Sequence, residues 1–323
     1  MAPRACLVTG AAGFIGSSLA ERLLGSGHTV VGVDAMTDYY ARELKERNLA
    51  DLLGRPGFTF LEENLLTADL REMLSGIDIV FHLAAQPGVR KSWGRTFATY
   101  LDNNVAATQR LLEAARRSAI TRFVFASSSS VYGTAAQLPV RETTLPQPIS
   151  PYGVTKLAAE HLCDVYAHAY GVPAVSLRYF TVYGPRQRPD MAFSRFVRAI
   201  LEGSEIELYG DGEQTRDFTF VSDAVAATVA AAGADLDGGV GRVYNVGGGS
   251  RVTVNSVIGL LERITGKRTR IARRQAQPGD ARDTFADCSA AHTDFGYRPA
   301  VALEAGLSAL VRWQTSALAV EAR

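Results

Sequence analysis

Residues 5–16 read ACLVTGAAGFIG, and the reading of this stretch decides the fold. Residues 5–9 are an apolar run of strand length, and a helical pattern begins after the glycines and continues to Leu24. Between them Gly10, Gly13 and Gly16 are spaced three and three. The first glycine permits a tight turn, the next lets a pyrophosphate approach the backbone, and the third lets the helix pack on the strand, with Phe14 and Ile15 part of the same cofactor turn. Residues 29–33 read as a second strand, and Asp34 stands at its C-terminal end. An acid there accepts from both ribose hydroxyls of an adenosine and repels a 2′-phosphate, so NAD is expected rather than NADP.

The alternation continues along the chain. Strands are expected at 58–62, 77–83, 122–126 and 174–178, with helices at 68–75, at 97–118 and from Pro151 to 170. This order predicts an α/β protein with a Rossmann-type, doubly wound parallel sheet whose ligands lie at the C-terminal strand ends. Leu83, Ala84 and Ala85 end one strand with side chains against which a flat cofactor fits. After Gly184 helical patterns at 192–202 and 254–265 mix with short strands and turn-rich loops such as YGDGEQTR at 209–216. Residues 1–184 are therefore expected to form the NAD-binding domain, with later segments able to return to it. Residues 185–323 are expected to form mainly a smaller, mixed α/β substrate-binding domain, fraying from about Ser316.

Composition narrows the function. The chain has 323 residues, 47% of them hydrophobic, enough for one large core or two linked ones. A formal net charge of +1 without basic or acidic runs argues against nucleic acid or an anionic membrane as partner. A nucleotide substrate stays open. Cys6, Cys163 and Cys288 are far apart and odd in number, as expected of reduced thiols. With no signal core and no apolar run long enough to span a bilayer, a cytoplasmic protein is expected.

Chemistry is concentrated in SPYGVTK, residues 150–156. Pro151 suits the first turn of a helix, so Tyr152 and Lys156, four residues apart, share one face. A free tyrosine has a pKa of about 10, and a neighbouring cation lowers it toward use as a general base. His82, on an apolar strand, reads as a satisfied core histidine. No His, Cys and Asp cluster has metal-ligand spacing, and no metal is expected.

Six stretches occur in order: TGAAGFIG (9–16), HLAAQ (82–86), SSSSVYG (127–133), PYGVTK (151–156), RYFTVYGP (178–185) and QTRDF (214–218). Together they resemble the extended short-chain dehydrogenase/reductases, in the branch of nucleotide-sugar epimerases and dehydratases. The resemblance runs from residue 5 to about residue 313. Within that branch the chain looks most like UDP-glucuronate 4-epimerases. Thr181 stands where many UDP-glucose 4-epimerases have asparagine, and RPDMA at 188–192 and DYY at 38–40 are similar to the glucuronate enzymes.

The resemblance implies that Tyr152 takes the proton of the sugar 4-hydroxyl while the C4 hydrogen leaves as hydride to NAD. The resulting 4-keto sugar turns about its diphosphate linkage and receives the hydride on its other face. Lys156 would hold the nicotinamide ribose, and Ser128 would be the catalytic hydroxyl, with a register uncertain by one among four serines. Related dehydratases and decarboxylating enzymes carry acids where this chain has Ser129 and Ser130, so plain epimerisation is implied. The hydroxyls of Ser127, Ser129 and Thr181 are expected to hold a sugar carboxylate, and Arg188 to contact the substrate or to form a surface ion pair. For the UDP half the resemblance points to Arg216 on the diphosphate, Asp280 on the uridine ribose and Tyr209 near the uracil. Gln277 replaces a family arginine, which leaves Arg282 to reach the phosphates. Asn64 replaces a family aspartate at the adenine edge, and Asn104 is placed like a cofactor contact or an ordinary helix-terminal polar residue. A homodimer is implied, built from helices 97–118 and 154–170, whose Leu111, Leu112 and Leu162 serve either the interface or their own core. The alternatives are a 4-epimerase of UDP-glucose or UDP-N-acetylglucosamine, and a non-catalytic NAD-binding scaffold.

Overall fold

The computed structural model describes residues 2–236 and 241–321. Six strands follow the expected order: β1 (Ala5–Thr9), β2 (Thr29–Asp34), β3 (Phe58–Glu62), β4 (Ile79–His82), β5 (Arg122–Ser128) and β6 (Ala174–Tyr179). They form one parallel sheet in the order β3-β2-β1-β4-β5-β6, to which Arg242–Val246 adds a seventh strand beside β6. The sequence does not announce that strand, because it is only five residues long. It brings the later half of the chain back to the first domain. The helix Val221–Gly233 returns as well, sharing a core with the helix Phe14–Gly25.

Alternate residues of the strands point to opposite faces, so the sheet is buried on both sides. Cys6 and Val8 enter one apolar core while Leu7 enters the other. A third core, containing Phe193, Phe196, Val257, Leu261, Leu307 and Leu310, sits among the helices Ala192–Glu202, Val254–Thr265 and Leu303–Glu321. Beside it Glu205–Tyr209 pairs in parallel with Arg270–Arg274.

Two helix expectations change. The segment at 68–75 is helical only over Leu70–Met73, started by Asp69, whose side chain accepts from the N–H groups of Arg71 and Glu72. The segment at 97–118 is interrupted. Phe97–Tyr100 and Ala107–Ala115 are α-helical, and Leu101–Ala106 between them is a π-helix. Such a turn inserts a residue into the α repeat, which apolar periodicity does not reveal.

Sheet order reverses between β1 and β4, and there a crevice opens at the C-terminal strand ends. Thr9 stitches its floor: its hydroxyl accepts from the N–H groups of Leu83 and Ala84 at 3.2 and 3.1 Å and meets His82 Nδ1 at 2.8 Å. Gly10 has φ +72°, and a side chain there would start 2.9 Å from Ala84 N. At Gly16 an added Cβ would lie 2.0 Å from the Gly10 carbonyl oxygen, so the helix seats on the turn only without one.

Candidate active site

A cavity runs along this crevice. It is lined by Gly10, Gly13, Phe14, Ile15 and Gly16, by Asp34 and Asn64, by Leu83, Ala84 and Ala85, and by Tyr152, Lys156 and Arg188. Asp34 Oδ1 accepts from Met36 N at 2.9 Å and Oδ2 from Ala12 N at 3.2 Å. Each oxygen keeps further acceptor capacity for a ribose hydroxyl. Burial raises the Asp34 pKa, opposed by these N–H groups and by Lys45. Lys45 is buried on the cavity wall with Nζ 2.6 Å from the Thr37 carbonyl oxygen. Asn64 caps Leu66 N through Oδ1 at 2.9 Å, which leaves its NH2 for an adenine edge. The helix Phe14–Gly25 begins at Gly13 without a side-chain cap and without an acidic residue in its first turn, as anion binding requires. These residues fit a dinucleotide.

The catalytic stretch is placed by two small residues. Ser150 caps the helix Pro151–Tyr170, accepting from Gly153 N at 3.1 Å, with Pro151 in the first turn. A Cβ on Gly153 would lie 2.6 Å from the Ser130 carbonyl oxygen, so glycine lets the helix abut the end of β5. The Ser128 side chain acts on the Tyr152 phenol, lowering its pKa, while Ser128 Oγ accepts from Ser130 N at 3.2 Å. Of the four serines, Ser128 is the one that acts on the phenol.

Electrostatics differ from expectation in one respect. Burial raises the Tyr152 pKa, and the groups that oppose it are the Ser128 hydroxyl and the Arg188 charge. Lys156 is itself pushed down to about 8 by burial, opposed by Cys163 and Glu160. Its Nζ lies 4.3 Å from the centroid of the Phe125 ring. His82 bridges Thr9 and Thr108, at 2.8 and 2.9 Å, and burial pushes it down to about 3, so it is a neutral core histidine.

Three assigned side chains are engaged elsewhere. Ser127 borders the cavity, but its hydroxyl is donated to Glu160 Oε2 at 2.6 Å inside the protein, so it is not a donor for a sugar carboxylate. Glu160 is paired with Arg178, both buried, and Arg178 also reaches Tyr132 OH at 2.7 Å. Asn104 does not line the cavity. It is buried in the π-helix, clasping Gln86 through N at 2.6 Å and O at 3.1 Å and donating to Thr155 Oγ1 at 3.0 Å. Arg282 is largely exposed and paired with Asp211 at 3.1 Å; only its carbonyl joins the site, accepting from Arg216 Nη1 at 2.7 Å.

The remaining assignments gather beside the helix start. Asp280 accepts from Arg90 Nη2 at 2.8 Å, and the Arg90 guanidinium lies 4.1 Å from the Tyr209 ring centroid. The Asp280 turn packs on Ser150 and Val89 through Gly279, where a Cβ would meet both at about 3 Å. Sequence reasoning misses Arg90 because its partners are more than a hundred residues away. Gln277 donates only to the neighbouring Gln275 carbonyl, at 3.5 Å. Ser129 and Thr181 are partly buried and lie outside the lining of the cavity. Among the described residues no three His, Cys, Asp or Glu side chains gather as metal ligands, and no helix is long and apolar enough to cross a membrane.

A doubly wound sheet with a dinucleotide crevice lined by a tyrosine and a lysine one helical turn apart defines a nucleotide-dependent oxidoreductive enzyme of the short-chain type. Residues 6–247 match the NAD dependent epimerase/dehydratase family, and the chain belongs to that family. It is 48% identical to a Bacillus subtilis (strain 168) protein described as an uncharacterized UDP-glucose epimerase, YtcB, over 96% of this chain and 98% of that one. Identity to the UDP-glucuronate 4-epimerase of Thermodesulfobacterium geofontis (strain OPF15) is 36%, over 95% of each chain. A crystal structure of UDP-glucuronic acid 4-epimerase from Bacillus cereus, in complex with UDP-glucuronic acid and NAD, matches with a TM-score of 0.94. It is 45% identical, covering 97% of this chain and 99% of that one.

Proposed function

We propose that this enzyme is a UDP-glucuronate 4-epimerase, interconverting UDP-glucuronate and UDP-galacturonate through a 4-keto sugar. The observation that carries the reading is the lining of one cavity by Tyr152, Lys156 and Arg188 together with the glycine turn and Asp34. NAD, when bound, supplies the acceptor and then the donor of hydride at the sugar C4. Tyr152 takes the C4 hydroxyl proton during oxidation and returns it during reduction. Ser128 donates to the phenolate oxygen, and its own oxygen is polarised by Ser130 N–H. The Lys156 ammonium holds the cofactor ribose, while the Ser128 hydroxyl and the Arg188 charge favour the ionised phenol.

Ser129 and Ser130, with hydroxyls where elimination needs carboxyl groups, favour return of hydride over loss of water. Ser129, Thr181 and Arg188 are the groups we assign to the sugar. Arg90, Arg216, Tyr209 and Asp280 are assigned to the UDP half; two arginines suit a diphosphate because the guanidinium binds phosphate bidentately. The cofactor domain is taken as residues 1–184 with the returning 221–246 segment.

A neutral UDP-hexose is the second reading, favoured by the name of the 48% identical Bacillus subtilis protein. Incubating the purified protein with UDP-glucuronate or UDP-glucose, and following the sugar protons by NMR, separates the two. A galacturonate product from the first alone is expected; turnover of UDP-glucose alone would replace the substrate assignment.

We further propose a cytoplasmic homodimer. Leu101, Val154, Val165 and Tyr170 are between 43% and 55% exposed on the two helices that border the site, and they supply its apolar face. Leu111 and Leu112 are wholly buried in their own core and are not part of it.

A further inference from the structure

Two motifs about 150 residues apart, DYY at 38–40 and RPDMA at 188–192, meet at the cavity mouth, where Tyr39 and Asp190 are separated by 151 positions in the chain. Arg188 is paired with Asp190 through one edge of its guanidinium, Nε to Oδ1 at 3.0 Å and Nη2 to Oδ2 at 3.1 Å. Tyr39 OH donates to the same Asp190 Oδ2 at 3.2 Å. Its ring lies under two cations, with the Arg188 guanidinium carbon 5.8 Å and Lys91 Nζ 4.7 Å from the centroid. Tyr39 is itself fixed from below. A Cβ on Gly88 would lie 2.6 Å from Tyr39 OH, and Tyr100 donates to the carbonyls of Gly88 and Pro87 at 2.7 and 2.9 Å while its ring meets Tyr152 edge-on at 6.2 Å.

A guanidinium has two edges that a carboxylate can grip with paired N–H bonds. Asp190 holds one, and Arg188 lines the same cavity as Tyr152. We propose that Tyr39 and Asp190 are positioning residues for substrate specificity, locking one edge of Arg188 so that the Nη1 edge is presented to a carboxylate on the sugar. The inference rests on the uronate reading above. Asp190 also offsets the Arg188 charge, so a neutral sugar meets a paired arginine and an acidic sugar gains the remaining edge. Burial raises the Asp190 pKa, but Arg188 outweighs it, so the carboxyl stays ionised through neutral pH.

The test is calorimetric titration of the NAD-loaded enzyme with UDP-glucuronate and with UDP-glucose, for wild type, Asp190→Asn, Asp190→Glu and Tyr39→Phe, alongside KM and kcat. Wild type is expected to bind UDP-glucuronate more tightly. Asp190→Asn should weaken that ligand about tenfold and Tyr39→Phe about threefold, each leaving UDP-glucose within about twofold, because only the charge-assisted contact is lost. Asp190→Glu should recover part of the affinity. Equal weakening of both ligands would mean a merely structural role and would overturn the proposal, as would an Asp190→Asn protein that keeps the wild-type preference. A wild type preferring UDP-glucose removes the uronate reading itself, and this inference with it.

Discussion

Tyr152 is half-buried, and the loss of solvation alone raises its pKa above that of a free phenol. The role of base that we propose for it therefore depends on the groups around it. Lys156 is the one whose titration falls in an accessible range, because burial brings it to about 8 from the ordinary 10.5. The groups facing it are Glu160 and Cys163 on its own helix, Phe125 on β5 and the neutral His82 on β4. Its ammonium is the form present below about 8, so kcat/KM should level off below that pH and fall as pH rises through it. A pH profile of kcat/KM checks this, and Lys156→Arg should move the falling limb upward; a limb unmoved in that variant would assign it to another group. At this scale the sequence is readable where the signal is local, as for Pro151 in the first turn of its helix. It is unreadable where a residue's partner is remote. Ser127 looks free in the sequence, yet Glu160 lies 2.6 Å away; Arg90 looks unremarkable, yet it meets Asp280 across the cleft.

Elements meet at the site because glycines and one buried ion pair allow it. Glu160 and Arg178 join the catalytic helix to β6, and Arg178 reaches Tyr132, whose hydroxyl donates to Asn245 on the seventh strand at 2.7 Å. Removing one partner of such a pair leaves a buried charge uncompensated. Glu160→Gln is thus expected to lower unfolding stability by about 3–5 kcal/mol, measured by chemical denaturation. A loss below about 1 kcal/mol would show that the pair does not hold these elements together. The strands of the sheet and the glycine turn are legible because their apolar runs and turn residues are local signals. The π-helix is not, since six residues within a helical pattern leave no separate period, and its consequence is to turn Asn104 inward to Gln86 and Thr155.

For the whole molecule, the doubly wound order and the second core after Gly184 are both expected from the sequence, and the return of Arg242–Val246 to the sheet is not. A strand recruited over such a distance carries no mark beyond its five residues. The exposed Val154 and Val165, eleven positions apart, lie three turns along the same helix, which suits a helix-to-helix contact with a second copy. Light scattering should give a dimer mass for the wild type and a monomer for Val154→Glu combined with Val165→Glu. A wild-type monomer would discard the interface.

The central claim is that oxidation and reduction occur at one carbon, with the hydrogen removed from the sugar returned to it. UDP-glucuronate carrying deuterium at C4, turned over in ordinary water, tests this most directly. The deuterium should remain at C4 of the UDP-galacturonate product. Its replacement by solvent hydrogen would mean inversion by proton exchange, and would contradict both the role of Tyr152 as the hydroxyl base and that of the dinucleotide cavity as the seat of hydride transfer.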